Sequence, residues 1–252
     1  MGFDPTITAT VMYAPWSDWR GENAHELYDQ LSASDFIDHA SLHPNQKART
    51  VWEDARECWL EGVEHGSTHH IVIQGDVELC EGFGEAAYNA VSAVPNRNIG
   101  FYGTHKRLAE AFEDGKRWYK YDGGLWGQAS CLLTDHIQSM VAFGDTYFEA
   151  DVPHDDTRLA AWSELALPQA TWMALPQLVE HLGAEDSEMN HQTPTDWTAA
   201  TYVGDTDLDA REIDWTERTD VPSYAGERQV NQRPSIFCIE ELVADGYIEE
   251  AQ

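Results

Sequence analysis

Lysine is almost missing from this chain: Lys47, Lys106, Lys116 and Lys120 are the only four in 252 residues. Lysine and arginine together number 15 against 45 aspartates and glutamates, for a formal net charge of -30. That balance argues against a basic nucleic-acid cleft, because phosphate contacts need Lys and Arg, although it leaves DNA open as a substrate in high salt. Cysteine is sparse too. Cys58, Cys80, Cys131 and Cys238 form no CxxC pair, so neither a structural zinc nor a disulfide framework is indicated and reduced cytosolic thiols are expected. No apolar run approaches the roughly 20 residues of a membrane span, and no signal peptide is evident. Neither GxGxxG after the first strand nor GxxxxGK[ST] occurs, which removes the usual dinucleotide and P-loop readings.

What is present is acid, aromatic and apolar residues in globular proportion. At 42% hydrophobic and 11% aromatic, 252 residues bury one substantial core. The surface reads as that of a protein working in molar salt, where a Debye length of about 3 Å screens the self-repulsion of its carboxylates, with an ordinary acidic protein as the alternative. Strand and helix patterns alternate. Strands are predicted at 7–13, 69–74, 98–102, 119–121, 126–130 and 171–174, with helices at 22–31, 46–64, 81–94, 105–113, 134–143 and 155–165. The alternation predicts an α/β domain with a mostly parallel central sheet flanked by helices over residues 1–190. Residues 191–252, where periodicity is poor, read as an irregular C-terminal extension that packs on the domain or trails from it. Residues 183–187 read as a polar loop and 236–243 as a short terminal helix.

Three places carry polar chemistry. Gln74-Gly75-Asp76 ends the apolar strand Ile71-Val72-Ile73, and the carboxyl ends of strands are where ligands bind in open α/β sheets. His154-Asp155-Asp156-Thr157-Arg158 opens a helix, and His181 follows Leu178-Val179-Glu180. Singly, each has a plain reading: Asp76 as a turn residue, Asp155 or Asp156 as a helix cap, His181 as a satisfied polar residue. His69 and His70 do not chelate together easily, because adjacent strand residues point to opposite faces. The acidic run Asp205, Asp207, Asp209, Glu212, Asp214 lacks the spacing of a calcium loop and reads as solvated surface.

Four segments in order, Trp52-Glu53-Asp54-Ala55-Arg56-Glu57-Cys58-Trp59, residues 69–83, residues 154–162 and Leu175-Pro176-Gln177-Leu178-Val179-Glu180-His181, resemble nucleotide-sugar glycosyltransferases of GT-A fold. The likeness is to family-2-like and lipooligosaccharide-type enzymes, including small phage-borne forms. The resemblance implies a Rossmann-like GT-A sheet and a cation, Mn²⁺ or Mg²⁺, held by Asp76 and His181. It implies a general base at Asp156 or Asp155, with Asp156 favoured. Gln74, Gly75, Arg20, Arg56 and Trp16 are the implied contacts to a UDP- or GDP-sugar donor. The implied activity is transfer of the sugar to an acceptor hydroxyl on a glycan, a glycoprotein or a modified viral DNA base, in a cytoplasm of high salt. Relatives often carry Gln-Asp-Asp where this chain has Gln74-Gly75-Asp76. The missing acid keeps two alternatives open: a non-catalytic binding or virion-associated relative, and a nucleotidyltransferase on a similar sheet.

Overall fold

Alternation along the first strand sets up the layers. In the computed structural model β1 (Ile7–Tyr13) sends Ile7, Ala9 and Val11 to one face of the sheet and Thr8, Thr10 and Met12 to the other. The structure describes residues 3–122, 125–149, 152, 154–167, 169–182, 197–225, 230 and 233–249. The expected polar loop at 183–187 and the expected boundary at 190 lie outside these described residues.

The remaining strands are β2 (His39–Pro44), β3 (His69–Gln74), β4 (Val77–Leu79), β5 (Ile99–Gly100), β6 (Trp118–Asp122), β7 (Ala129–Leu133), β8 (Thr171–Ala174), β9 (Val179–His181) and β10 (Ser223–Ala225). The helices are α1 (Asp18–Ser32), α2 (Val51–His65), α3 (Phe83–Ala93), α4 (Lys106–Glu113), α5 (Thr134–Thr146), α6 (Asp155–Leu165) and α7 (Ile239–Ala244). Eight strands form one sheet in the order β10-β6-β8-β5-β7-β3-β1-β2, while β4 and β9 make a separate pair. Four of the seven pairings in the large sheet are parallel, and β7 runs against both its neighbours. The chain is thus α/β with a Rossmann-like, mostly parallel sheet.

Helices α1 and α3 cover the face carrying Ile7, Ala9, Val11, Ile71 and Ile73, whereas α2, α5 and α6 cover the face carrying Met12, Val72 and Leu132. Under α2 the sheet is polar, and its threonine and histidine side chains bond to neighbouring groups. Thr8 Oγ1 lies 2.7 Å from His70 Nδ1, Thr10 Oγ1 donates to Glu61 at 2.8 Å, and His70 Nε2 lies 2.9 Å from the Cys58 carbonyl. Burial lowers the His70 pKa to about 4, so the ring is a neutral strut. A Cβ at Gly62 would collide with that ring, which is how α2 approaches the sheet so closely. A capping box between Thr50 and Glu53 starts α2, and Gly66 in the left-handed region ends it.

The extension docks onto the body. Tyr202, Val203, Ala210, Ile213 and Trp215 join the core on the α1 and α3 face, and β10 adds a parallel edge strand to β6. Val230, Phe237 and Leu242 join the core of the opposite face, where the Phe237 ring meets Phe148 at 4.5 Å. Among the described residues no helix is long and apolar enough to cross a membrane.

Candidate active site

The parallel trio β2-β1-β3 directs the chain termini of its strands to one edge, and α1 and α2 leave that edge on opposite faces. Such divergence opens a crevice. A cleft of about 380 Å³ lies there, lined from β1 by Met12, Tyr13 and Ala14 and from β3 by Gln74, Gly75 and Asp76. Arg20, Asn45, Gln128, Asp155, Asp156, His181, Trp197 and Arg233 are also on its wall.

Asp76 is fixed by its backbone. The Gly75 N–H donates to the Met12 carbonyl at 2.7 Å, and Asn23 Nδ2 on α1 donates to the carbonyls of Gly75 and Val77 at 3.1 and 2.8 Å. The two-residue turn Gly75-Asp76 passes directly into β4, whose Val77 pairs antiparallel with His181 of β9. The Leu182 N–H completes the clasp on the Asp76 carbonyl at 2.7 Å. A histidine more than a hundred residues away is thereby set beside the aspartate. His181 Nε2 lies 3.7 Å from Asp76 Oδ2, and Arg20 Nη2, from the first turn of α1, lies 3.1 Å from the same oxygen. The 3.7 Å gap is too long for a hydrogen bond.

The second half of the site is the start of α6. Asp156 Oδ1 accepts from the Thr157 N–H at 2.6 Å and from Thr157 Oγ1 at 3.2 Å, so its charge is anchored at the positive helix end. Asp155 is buried. Desolvation, then the neighbouring Asp156 charge, raise its pKa to about 7, against the lowering effect of a hydrogen bond from the Gln74 amide. Gly127 makes room for that bond: a Cβ there would stand 2.6 Å from Gln74 Nε2 and 3.4 Å from Asp155 Oδ2. Gln74 therefore faces the acidic pair.

Six residues of the predicted set, Arg20, Gln74, Gly75, Asp76, Asp155 and Asp156, come together with His181 around one cleft. Two predicted donor contacts do not line it. Arg56 stands on the half-exposed flank of α2 and pairs with Asp145 of α5 at 3.2 Å, because Ala55, Cys58 and Trp59 take the inward face of the helix. Trp16 is 47% exposed in the turn before α1, with Lys47 Nζ 5.5 Å from its ring centre. Sequence reasoning missed Asn23, Asn45, Gln128, Trp197 and Arg233. Neutral amides, whether on a helix like Asn23 or in connecting segments like Asn45 and Gln128, carry no pattern, and the last two residues come from the extension.

Gly75 has a steric reason of its own. A Cβ at this position would lie 2.6 Å from Tyr13 Cβ and 3.3 Å from both Ala24 Cβ and the Met12 carbonyl oxygen, atoms that cannot swing aside. An acid cannot be added back here without moving β1. Gly75→Asp is expected to lower stability by about 1–3 kcal/mol in thermal or urea unfolding, the range for overpacking. An unchanged unfolding midpoint would show that the turn has slack.

The cleft also gathers unmet hydrogen-bonding capacity. Of 16 buried side-chain polar atoms without a partner among the described residues, six line it: Arg20 Nε, Asn45 Oδ1, Asp76 Oδ1, Gln128 Oε1, His181 Nδ1 and Trp197 Nε1. An unpaired buried polar atom costs about 1–3 kcal/mol, so the residues of this wall hold an unusual share of the unspent hydrogen-bonding capacity among the described residues. Asp76 Oδ1 and His181 Nδ1 have no hydrogen-bond partner, while the His181 nitrogen nearest the carboxylate is Nε2. No group of three His, Cys, Asp or Glu side chains positioned to hold an ion occurs among the described residues. The acidic run is spent locally, with Asp209 on Arg211 and Asp214 on Thr216. No family model matches this chain, and no curated protein matches it either.

Proposed function

We propose that the protein is a metal-dependent glycosyltransferase that moves a sugar from a nucleotide-linked donor to an acceptor hydroxyl, on a GT-A-like sheet. One observation carries the reading: side chains 76, 155, 156 and 181, chosen for their chemistry, line a single polar cleft at the carboxyl ends of β1 and β3. Asp76 and His181 would hold Mn²⁺ or Mg²⁺, and the bound ion would supply positive charge to a leaving diphosphate.

The chain's own groups supply the rest. Arg20 holds Asp76 in place through Oδ2 and leaves Oδ1 without a hydrogen-bond partner. The acidic pair takes the proton of the acceptor hydroxyl. Sequence alone favours Asp156, but the surroundings favour Asp155. Asp156 is committed to Thr157, whereas the proton affinity of Asp155 is raised close to neutral pH, the condition under which a general base works best. Gln74 orients Asp155, and Gly127 keeps the space that this orientation needs.

Incubation with donor labelled in the sugar or in the nucleotide tests the assignment. Sugar transferred to acceptor supports it; nucleotide transferred makes the protein a nucleotidyltransferase. The absence of a three-residue ligand group among the described residues favours a second reading, a non-catalytic binding protein on the same scaffold. Titration with UDP and GDP in the presence of Mn²⁺ separates the two: binding without turnover of any donor sinks the enzymatic reading.

The acid surface is part of the proposal. A chain of net charge -30 with four free thiols fits a cytoplasm rich in salt. The melting temperature is expected to rise by several degrees between low and molar KCl. A flat response in a melting series would remove the high-salt assignment.

A further inference from the structure

Basic residues are outnumbered three to one by acidic ones on this chain, and the C-terminal extension places one arginine in the cleft. Arg233 is exposed on the cleft wall, and among the described residues it makes no ion pair or side-chain hydrogen bond. Its position is held from both sides. Val230 and Phe237 are buried in the core beneath α5 and α6, the Ile236 carbonyl accepts from the Glu149 N–H at 3.1 Å, and the Cys238 N–H donates to the Tyr147 carbonyl at 3.0 Å. A side chain that is anchored at its backbone and free at its tip is arranged to meet something that enters the cleft.

Charge says what enters. The chain carries -30, yet the cleft sets Arg20 and Arg233 against Asp76, Asp155 and Asp156, a formal balance of -1, which the proton held by Asp155 below its raised pKa brings to zero. Arg20 is already spent on Asp76. The remaining guanidinium is the one uncommitted positive charge among the described lining residues, apart from the histidines. It shares the cleft wall with Asn45, Gln128 and Trp197, each of which has a buried polar atom without a hydrogen-bond partner.

We propose that Arg233 is the phosphate-binding residue of the cleft, gripping the diphosphate of a nucleoside diphosphate and making the extension a part of the active site. The guanidinium fork matches phosphate oxygens two at a time, which a lysine does not reproduce. This rests on the nucleotide-sugar reading above for the nucleoside, but not for the phosphate.

Calorimetric titration of the full chain with UDP, GDP and inorganic pyrophosphate, at low and at molar salt with Mg²⁺ present, tests it. Arg233→Ala is expected to weaken all three by about tenfold or more, Arg233→Lys to recover only part of the loss, and Arg56→Ala to change nothing. Melting temperatures of both Arg233 variants should match the wild type, since the Arg233 side chain is exposed. If UDP or GDP binds the wild type and Arg233→Ala equally well, the assignment of Arg233 falls while the nucleotide reading stands. If pyrophosphate binds as tightly as UDP and GDP and all depend on Arg233, the phosphate assignment stands and the nucleotide-sugar reading falls. If the wild type binds none of the three, both fall.

Discussion

Asp76→Asn is expected to reduce turnover to background, a loss of at least about 10³-fold, while the fold stays intact. Charge neutralisation at a leaving diphosphate is worth several kcal/mol, and an amide in place of the carboxylate cannot help to hold the cation that supplies it. The substitution is isosteric, and the backbone of residue 76 is held by the Leu182 N–H and the neighbouring Asn23 contacts, none of which uses its side chain. The melting temperature should therefore move by only a few degrees, through the lost pairing with Arg20. Steady-state rates with saturating Mn²⁺, measured beside a melting curve, read both quantities. Full activity in a folded Asp76→Asn protein would remove the metal assignment.

Asp155→Asn should produce a larger contrast, because activity and stability are expected to move in opposite directions. The proposed general base is expected to contribute about 10²- to 10⁴-fold, so the rate should fall by that amount while donor binding is retained. Wild-type activity should rise with pH through about 7, as the carboxyl loses its proton. Stability responds with the reverse sign. The carboxyl of Asp155 titrates near 4 in the unfolded chain and near 7 in the folded one, so between those values the native state binds more protons and stability falls as pH rises. Asparagine carries no charge to bury. The variant should match the wild type near pH 4 and melt higher than it at pH 8. Should Asp156→Asn show the rate loss and Asp155→Asn none, the base moves to the neighbouring residue.

Legibility of this fold in sequence followed the range of the forces involved. β1, β3, α6 and β8 announce themselves by local patterning, and their bounds agree with the expected ones. The strand expected at 126–130 is β7 at Ala129–Leu133 instead: Trp126, Gly127 and Gln128 form the approach to it and contribute to the cleft. β4, β9 and β10 have three residues each, too few for a period, and exist only through pairing with distant partners. Trp118 illustrates the same limit. Its indole is fully buried, donating from Nε1 to the carbonyl of Trp215, nearly a hundred residues away, at 2.8 Å.

In the cleft, charged residues at strand and helix ends were legible because position and chemistry coincide there. Asp76 follows a buried strand, and Asp155 and Asp156 open a helix. Asn45 and Gln128 were not, since a neutral amide in a connecting segment looks like any other. Arg56 misled for a geometric reason: it lies on the same helix as Trp52 and Trp59, but turned away from the sheet toward Asp145.

The small β4–β9 clasp has a kinetic consequence. It joins positions 77 and 181, so the nascent chain exposes strand β3 long before the cleft is complete, and truncation anywhere upstream of His181 leaves Asp76 without its neighbour. Ligand affinity thus doubles as a read-out of completed folding: whatever binds there favours the fully assembled molecule over every partly assembled one and must raise its thermal midpoint with concentration.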